Sequence, residues 1–410
     1  MEYIKLKDIC DLKNGYAFKS SDYVEKSDVL NCRMSNIRPN ATFDAEYNPK
    51  YLPNDYAEKY KEYLLYDGDL IIAMTDLAND PKILGVPTIV YTNGYKMLLN
   101  QRVGKLLLLN ERPIKKKYLK YALSVPQNRG YFKKFAGGGV QINIGKAEIL
   151  NIDIPYCDIE TQNKIVEILD KAQSLIDKKK EQIKLLDELV KSRFIEMFGD
   201  PVNNPKGWNV KKLKEISTDI NSGNTPKGGE KVYVENGIMF LRSQNVWKKK
   251  LVLDDVAYID EETHIKMKKT SLKNRDILMT KTGRINTENS SLGRAAMFIG
   301  EDDSANINGH VYLIRLQEEV NNEFILYILT SNEYRGYIRS VCVGGIDKRQ
   351  LNKEHIEEFP IIFPPIELQN EFTNLVRKID EIKSKMEATL SELEDNFNSL
   401  MQKAFKGELF

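Results

Sequence analysis

The sequence predicts an α+β fold: two similar globular α/β domains separated by two long antiparallel coiled-coil helices, with internal pseudo-two-fold symmetry. Three observations predict it. Short motifs recur once, at a nearly constant offset. Short β-like runs bounded by turn residues fill the first part of each copy. A long heptad-patterned stretch closes each copy. The divisions that follow are 1–158 for the first globular domain, 159–200 for the first helix and the start of a linker, 201–365 for the second globular domain and 366–410 for the second helix.

The duplication is written in five places. Leu6-Lys-Asp-Ile9 recurs as Leu213-Lys-Glu-Ile216, Asp69-Leu-Ile-Ile as Asp276-Ile-Leu-Met, and Ile159-Glu-Thr-Gln-Asn163 as Ile366-Glu-Leu-Gln-Asn370, each 207 residues on. Arg129-Gly-Tyr131 recurs as Arg335-Gly-Tyr337, and Gly138-Gly-Val140 as Gly344-Gly-Ile346, both 206 residues on. One match is chance; five in one order are a tandem repeat, with a period far above that of a solenoid.

Within the globular parts, Leu70–Met74, Thr88–Tyr91 and Val103–Leu109 have strand character, as do Ile277–Thr280 and Val311–Leu316. Gly, Asn, Asp or Pro bounds each of them. Helical pieces at Lys117–Ser124 and Glu323–Thr330 fall at matching positions. Mixed elements of this kind make an α+β domain.

In the first long stretch, Ile165, Leu169, Ala172, Ile176, Ile183, Leu186, Val190 and Met197 fall on one stripe, interrupted by Lys179 and Arg193. In the second the stripe is Phe372, Val376, Ile379, Met386, Leu390, Leu393, Phe397, Leu400 and Ala404, interrupted by Lys383. Spacings of 3 and 4 over about five heptads are a coiled-coil pattern, and about 36 residues make a rod of roughly 50 Å. So long an apolar stripe needs a cover. The expected cover is the equivalent helix, packed antiparallel, which would set the globular domains at opposite ends of a rod. The plainer alternative is that each helix packs on its own domain. The linker Gly199–Gly207 ends the first helix.

Composition excludes several classes. The 410 residues include 41% hydrophobic ones and an ordinary aromatic share, which gives real cores rather than disorder. No run of about 18 apolar residues is present, so no membrane span is expected. The start MEYIKLKDICDLKNG has no apolar region typical of a signal peptide, which makes the cytoplasm the expected compartment. Cys10, Cys32, Cys157 and Cys342 are far apart, and His264, His310 and His355 are scattered, so no disulfide framework and no metal site is expected.

Catalytic motifs are missing. Gly139 to Lys146 looks like a phosphate loop, but it has one residue too many between its glycines and Ala147 where a hydroxyl should hold magnesium. Its glycines suit a sharp bend or a close approach to phosphate. No Gly-x-Gly-x-x-Gly follows a strand. Pro364-Pro365 lacks the preceding Asn or Asp of an amino-methyltransferase motif and suits a stop before a helix. His310 stands where the first copy has Arg102, a surface role more than that of a base.

The net charge of +2 argues against a nucleic-acid partner only as an average. Residues 1–158 carry 23 basic against 19 acidic side chains and 201–365 carry 24 against 22, while the helical parts carry 8 against 9 and 6 against 9. Residues 102–146 hold 11 basic residues and one acid, with Lys115-Lys116-Lys117, Arg129, Lys133 and Lys134 beside Tyr131, Phe132 and Phe135. Residues 266–294 hold 8 basic and 2 acidic, and Lys248-Lys249-Lys250 follows Trp247. Basic patches with interleaved aromatics suit phosphate contact and base reading. A solvated lysine surface is the bland equivalent. The patches differ between copies while the scaffold matches, as two readers of different sequences would require.

Further motifs complete a resemblance. Ser222-Gly-Asn-Thr-Pro226, Arg33-Met-Ser-Asn36, Arg242-Ser-Gln-Asn245 and Ile361-Ile-Phe-Pro-Pro-Ile-Glu-Leu-Gln369 join the repeats above. Over the whole chain they resemble the DNA-specificity subunit of Type I restriction–modification systems. The first copy departs at Ile154-Pro-Tyr-Cys-Asp-Ile-Glu-Thr-Gln162, which loses the second proline, and at Lys13–Phe18, which replaces Ser-Gly-x-Thr-Pro. The resemblance implies two target recognition domains, each reading half of a bipartite, asymmetric double-stranded site, and two spacer helices that fix the separation. It implies no catalysis and no cofactor in this chain. Two modification subunits would bring S-adenosylmethionine and methylate adenine, and restriction subunits would bring ATP and magnesium. The helix pair would be the docking surface, and Ile165, Leu169, Ile176, Ile183, Leu186, Val190, Val376, Ile379, Met386, Leu390, Leu393 and Phe397 would form the coiled-coil or partner interface.

Under that resemblance the candidate DNA contacts of the first domain are Tyr16, Lys19, Arg33, Asn36, Arg129, Lys133 and Gln141. Those of the second are Asn221, Thr225, Lys227, Arg242, Asn245, Trp247, Lys281, Arg284 and Lys348. Arg would read guanine, Asn or Gln adenine, and Lys would hold phosphates. The matched Arg33 and Arg242 also suit a structural or phosphate-binding role. A tandem-repeat adaptor that joins proteins without touching DNA, and a DNA-modifying enzyme with an unfamiliar site, are the competing functions.

Overall fold

A computed structural model describes residues 1–134, 140–285, 287, 289–345 and 348–409. Two compact units form, Met1–Glu181 with Glu387–Phe410, and Gln182–Met386. Where the sequence divides at 158, 200 and 365, the units divide inside the two long helices. No described helix is long and apolar enough to cross a membrane.

The first unit is built on a four-stranded antiparallel sheet in the order Cys10–Asn14, Val103–Leu108, Leu70–Ala73, Pro87–Ile89. Its strand Leu70–Ala73 is buried on both faces. Side chains alternate along a strand, so Leu70 and Ile72 enter one core while Ile71 and Ala73 enter another. The first core holds the helices Lys116–Ser124 and Pro126–Lys133. The second lies under a smaller sheet, Tyr51–Leu52, Val29–Cys32, Lys96–Leu99, Leu64–Leu65.

The second unit repeats this plan. Its four-stranded sheet runs Ser217–Ser222, Val311–Leu316, Ile277–Thr280, Ala295–Met297. Ile277 and Met279 face the helical core and Leu278 faces the core of the smaller sheet, Ala257–Ile259, Ile238–Leu241, Ala305–Ile307. In each unit a parallel pair joins distant parts of the smaller sheet, Val29–Cys32 with Lys96–Leu99 and Ile238–Leu241 with Ala305–Ile307.

The long helices are Ile159–Phe198 and Ile366–Lys406. Both are followed by glycines in the left-handed region, Gly199 at φ +77° and Gly407 at φ +79°, which side chains resist and helix ends favour. Their starts differ as the sequence does. Asp158 stands where the second copy has Pro365, and its carboxylate accepts from the Thr161 amide at 2.9 Å and hydroxyl at 2.7 Å. One turn in, the repeated glutamine is buried in both copies. Gln162 donates to Pro113 O and Cys157 O and accepts from the Lys115 amide, while Gln369 donates to Pro364 O at 2.8 Å. The glutamine ties strand exit to helix entry, which is why it survives duplication beside a changed cap.

In each unit the helices pack on each other, as the shared stripe predicts. The alternative of each helix lying on its own domain holds only for its first half, because the second half enters the core of the other copy's globular part. In the first unit Ile165 and Leu169 share a core with Leu6 and Tyr118, and Met401, Ala404 and Phe405 of the other helix complete it, with Phe397 packed against it. Ile176 is buried, and Lys180 pairs with Glu394 at 2.6 Å. In the second unit Val190, Phe194 and Phe198 meet Phe372 and Ile379, with Leu186 and Val376 alongside. Asp187 pairs there with Lys383 at 2.7 Å, and Arg193 with Glu371 at 3.4 Å. Numbers rise on one helix as they fall on the other, so the packing in each unit is antiparallel. Ile183, Met386, Leu390 and Leu393 are only half-buried. Two of the charges that interrupt the stripe, Arg193 and Lys383, make cross-helix ion pairs.

The chain ends lie together in the first unit. A Cβ placed on Gly407 would come within 3.4 Å of the Met1 nitrogen. At the internal junction, the Trp208 indole donates to Phe198 O at 3.0 Å across the 199–207 linker.

Candidate nucleic-acid interface

In each unit the candidate loops meet at one end of the four-stranded sheet. In the first, the Tyr16 amide bonds Leu99 O at 2.9 Å and Gln101 N returns to Tyr16 O at 3.0 Å. Met74 N donates to Arg102 O, and Ile144 N donates to Met74 O at 2.8 Å. The second unit repeats the stitching. Gly223 N donates to Val311 O, Lys281 N to His310 O at 2.8 Å, and Leu351 N to Lys281 O at 2.9 Å. Segments far apart in sequence thus share one rim because strand ends that pair must stop together.

On that rim the exposed candidates are Tyr16, Lys19, Gln141, Thr225, Lys227, Arg284 and Lys348, and Lys133 is exposed at the end of a neighbouring helix. Tyr16 belongs to an aromatic cluster, 4.5 Å from the Tyr60 ring and 5.6 Å from Tyr63. The Lys59 ammonium lies 5.3 Å from the Tyr60 ring and the Lys13 ammonium 5.0 Å from Tyr63. Lys281 is half-buried over Tyr312. Asn221 is half-buried near Asp219 and Lys269 O. Arg129 donates to Lys82 O at 2.7 Å, which orients it while leaving part of its fork open.

Four candidates are held by the fold itself. Asn36 and Asn245 are 4% and 1% exposed. Asn36 accepts from Arg33 N and donates to Asp44 O; Asn245 accepts from Arg242 N and donates to Val252 O and Asp255 O. Their amides close the turn after a buried strand and offer no edge to a base. Arg33 donates to Asn48 O, and Arg242 to Asp255 O with an ion pair to the same residue at 3.1 Å. This repeated pair is structural in both copies. The lysine run is engaged too: Lys116 reaches Gly68 O and Asp69, and Lys117 pairs with Asp170 at 2.6 Å. Lys146 of the phosphate-loop-like segment pairs with Asp11 at 2.6 Å, which holds that carboxyl below its usual range. Phe135, Gly138, Gly139 and Ile346 lie outside the described residues.

The structure adds cations that the sequence did not single out as contacts. Arg294, 8% exposed, stacks its guanidinium 3.9 Å from the Trp247 ring and donates to Ser290 O and Asn289 O. It lines a cavity of about 430 Å³ with Thr282, Arg284, Ser290, Ser291 and Lys348. Arg335 and Arg339 lie on the helix Asn332–Val341, and Arg349 lies on Lys348–Gln350, which pairs with the strand Val343–Gly345 after that helix. Among the described residues none of Arg284, Arg294, Arg335, Arg339, Lys348 and Arg349 pairs with a carboxylate. Both terminal nitrogens of the buried Arg335 lack a hydrogen-bond partner. Cations beside hydroxyls and an exposed tryptophan suit phosphates and base edges. The signal for Arg339 was present in the repeat, since it stands 206 residues after Lys133. Arg294 closes the basic stretch 266–294, but nothing in the linear order singles it out from the other seven cations there.

Comparison with known proteins gives one answer. The family profile described as Type I restriction modification DNA specificity domain matches residues 1–186 and 205–395. The Type I restriction enzyme MjaVIII specificity subunit of Methanocaldococcus jannaschii is 24% identical over 373 residues, covering 86% of this chain and 83% of its own length. The EcoBI specificity subunit of Escherichia coli is 21% identical over 440 residues, covering 99% and 85%. The crystal structure of the S subunit from M. genitalium aligns with a TM-score of 0.52 at 15% identity, covering 98% of this chain and 96% of that one. A chain from a structure of complex assembly and conformational transition of the type I R-M system aligns at 0.56 and 16% identity, covering 100% and 98%.

Proposed function

The chain belongs to the family of Type I restriction modification DNA specificity domains, and on that premise we propose that it is the sequence-reading subunit of a Type I restriction–modification complex. Each half reads one half of a bipartite double-stranded site. The long helices set the spacing and dock the modification subunits. The chain itself performs no chemistry: two modification subunits carry S-adenosylmethionine for adenine methylation, and restriction subunits carry ATP and magnesium.

One observation carries this reading. Candidate contact loops from distant parts of each half gather at the same end of the same four-stranded sheet, and the two copies display different side chains there. A shared frame with exchanged contacts is what two half-sites of different sequence require. Exposed apolar residues on the helices, Leu175, Leu185, Leu189 and Ile382, each about half accessible, support docking of a partner there.

The test is methylome sequencing of cells carrying the reconstituted complex, with footprinting of the purified complex. One asymmetric bipartite sequence is expected. Protection indifferent to sequence would overturn the reading, and loss of salt-dependent DNA binding would favour a protein-joining adaptor.

A further inference from the structure

The two recognition domains share one small ladder with identical register. In the first, Thr75–Leu77 pairs antiparallel with Gln141–Asn143, Leu77 opposite Gln141, Asp76 opposite Ile142 and Thr75 opposite Asn143. In the second, Gly283 lies opposite Arg349 and Thr282 opposite Gln350. Each of these second-unit pairs is the first-unit pair moved by 207 residues on both strands. One residue further along each strand, past the end of the paired ladder, stand Arg284 and Lys348, the positions equivalent to the rung of Leu77 with Gln141, and Lys348 pairs on its other side with Gly345. Both cations line the 430 Å³ cavity.

The frame beneath each rung is fixed. Asp76, 5% exposed, accepts the amides of Leu77, Ile83 and Leu84 and so pins the first rung. At Gly283 a Cβ would fall 2.3 Å from Leu292 N, so the second ladder admits no side chain there. Leu77 is 54% exposed and Gln141 is also exposed. On one frame the first domain thus presents an apolar side chain and an amide, and the second presents two cations.

We propose that this rung is the main specificity-determining pair of each domain, which rests on the specificity-subunit reading and deepens it. Arg284 and Lys348 donate to O6 and N7 of a guanine in the half-site of the second domain. Gln141 pairs with adenine N6 and N7, and Leu77 packs on a thymine methyl, in the half-site of the first. Phosphate is the other acceptor that two cations could meet, and it carries no sequence information.

The experiment exchanges the rungs in the full complex and reads the methylome. Arg284→Leu with Lys348→Gln is expected to lose a guanine requirement in one half-site, with methylation at the former non-target base rising about tenfold or more, while the other half-site is unchanged. Leu77→Arg with Gln141→Lys is expected to alter the opposite half-site only. The single changes Arg284→Lys and Lys348→Gln, milder for folding, should relax the same position to a smaller degree. The proposal is overturned if both half-sites keep their sequences in all variants. Equal weakening at every site with a shallower salt dependence would also overturn it, because that is the behaviour of phosphate contacts. A wild-type complex with no bipartite methylated site would instead overturn the underlying function.

Discussion

Arg315 grips the buried carboxylate of Asp276 with two hydrogen bonds, Nε to Oδ1 at 2.9 Å and Nη2 to Oδ2 at 2.7 Å. Asp69, the same acid one repeat earlier, is held instead by Lys105 at 2.6 Å and Lys116 at 3.5 Å. The acid kept its place in the duplicated frame and its cation moved along the neighbouring strand. Burial pushes the Asp276 carboxyl up and Arg315 draws it back. Arg315→Met leaves that charge buried, so denaturant unfolding should show a loss of about 3–5 kcal/mol. Arg315→Met with Asp276→Leu should recover most of it. A loss below about 1 kcal/mol in the single variant would mean that the pair contributes little.

Buried thiols make the fold sensitive to alkali. Burial pushes both Cys10, with help from Asp11, and Cys32 up to about 12. In an unfolded chain a thiol ionises near 8.5. The folded state therefore holds these protons more tightly, and the stability it gains is complete below about pH 8.5 and lost as pH rises toward about 12. Midpoints of thermal unfolding should fall across that window, and less so in Cys10→Ala with Cys32→Ala. Thiol labelling at neutral pH should reach the half-buried Cys157 before Cys10 or Cys32.

Phosphate contacts are separable from base contacts. Lys133→Gln and Arg339→Gln remove cations from equivalent places in the two domains. Each should weaken DNA binding similarly for target and non-target sequences and lower the slope of log K against log salt by about one. A change confined to the target sequence would assign the residue to base reading.

If the helices measure the spacer, their length is the quantity to change. Removing one heptad from each shortens the helical path by about 10 Å, about 3 base pairs of DNA. The methylated site should then show a shorter gap between unchanged half-sites. An unchanged gap would show that the helices do not set it.

The parts of this fold visible in sequence are those where local chemistry decides. Gln162 and Gln369 mark helix entries because a buried amide satisfies the carbonyl five residues before it in both copies, Cys157 O and Pro364 O, and the alternating burial of Leu70–Ala73 follows from strand pleating. What stayed hidden depends on distant partners. Asn36 and Asn245 have the composition of adenine readers, yet turns eight to ten residues long occupy their amides. The run Lys115–Lys117 has the composition of a phosphate clamp, yet Asp69 and Asp170, some fifty residues away, hold two of its three members. Arg294 gains its role only when folding lays it on Trp247. The division into units through the middle of both helices has no linear mark, because the first unit draws Glu387–Phe410 from the other end of the chain while the second is continuous from Gln182 to Met386.

Because Met1 lies beside Gly407, the order of the two halves is expected to be exchangeable. Residues 199–207 already join a helix end to the following strand through Gly199 and Trp208, and a linker of that length from Gly407 to Met1 would repeat the join. A complex built on a chain opened within 200–206 and closed by such a linker from Gly407 to Met1 should methylate the same sequence. A changed target would show that the order of the halves matters to the readers, whose frames are joined the same way at either seam.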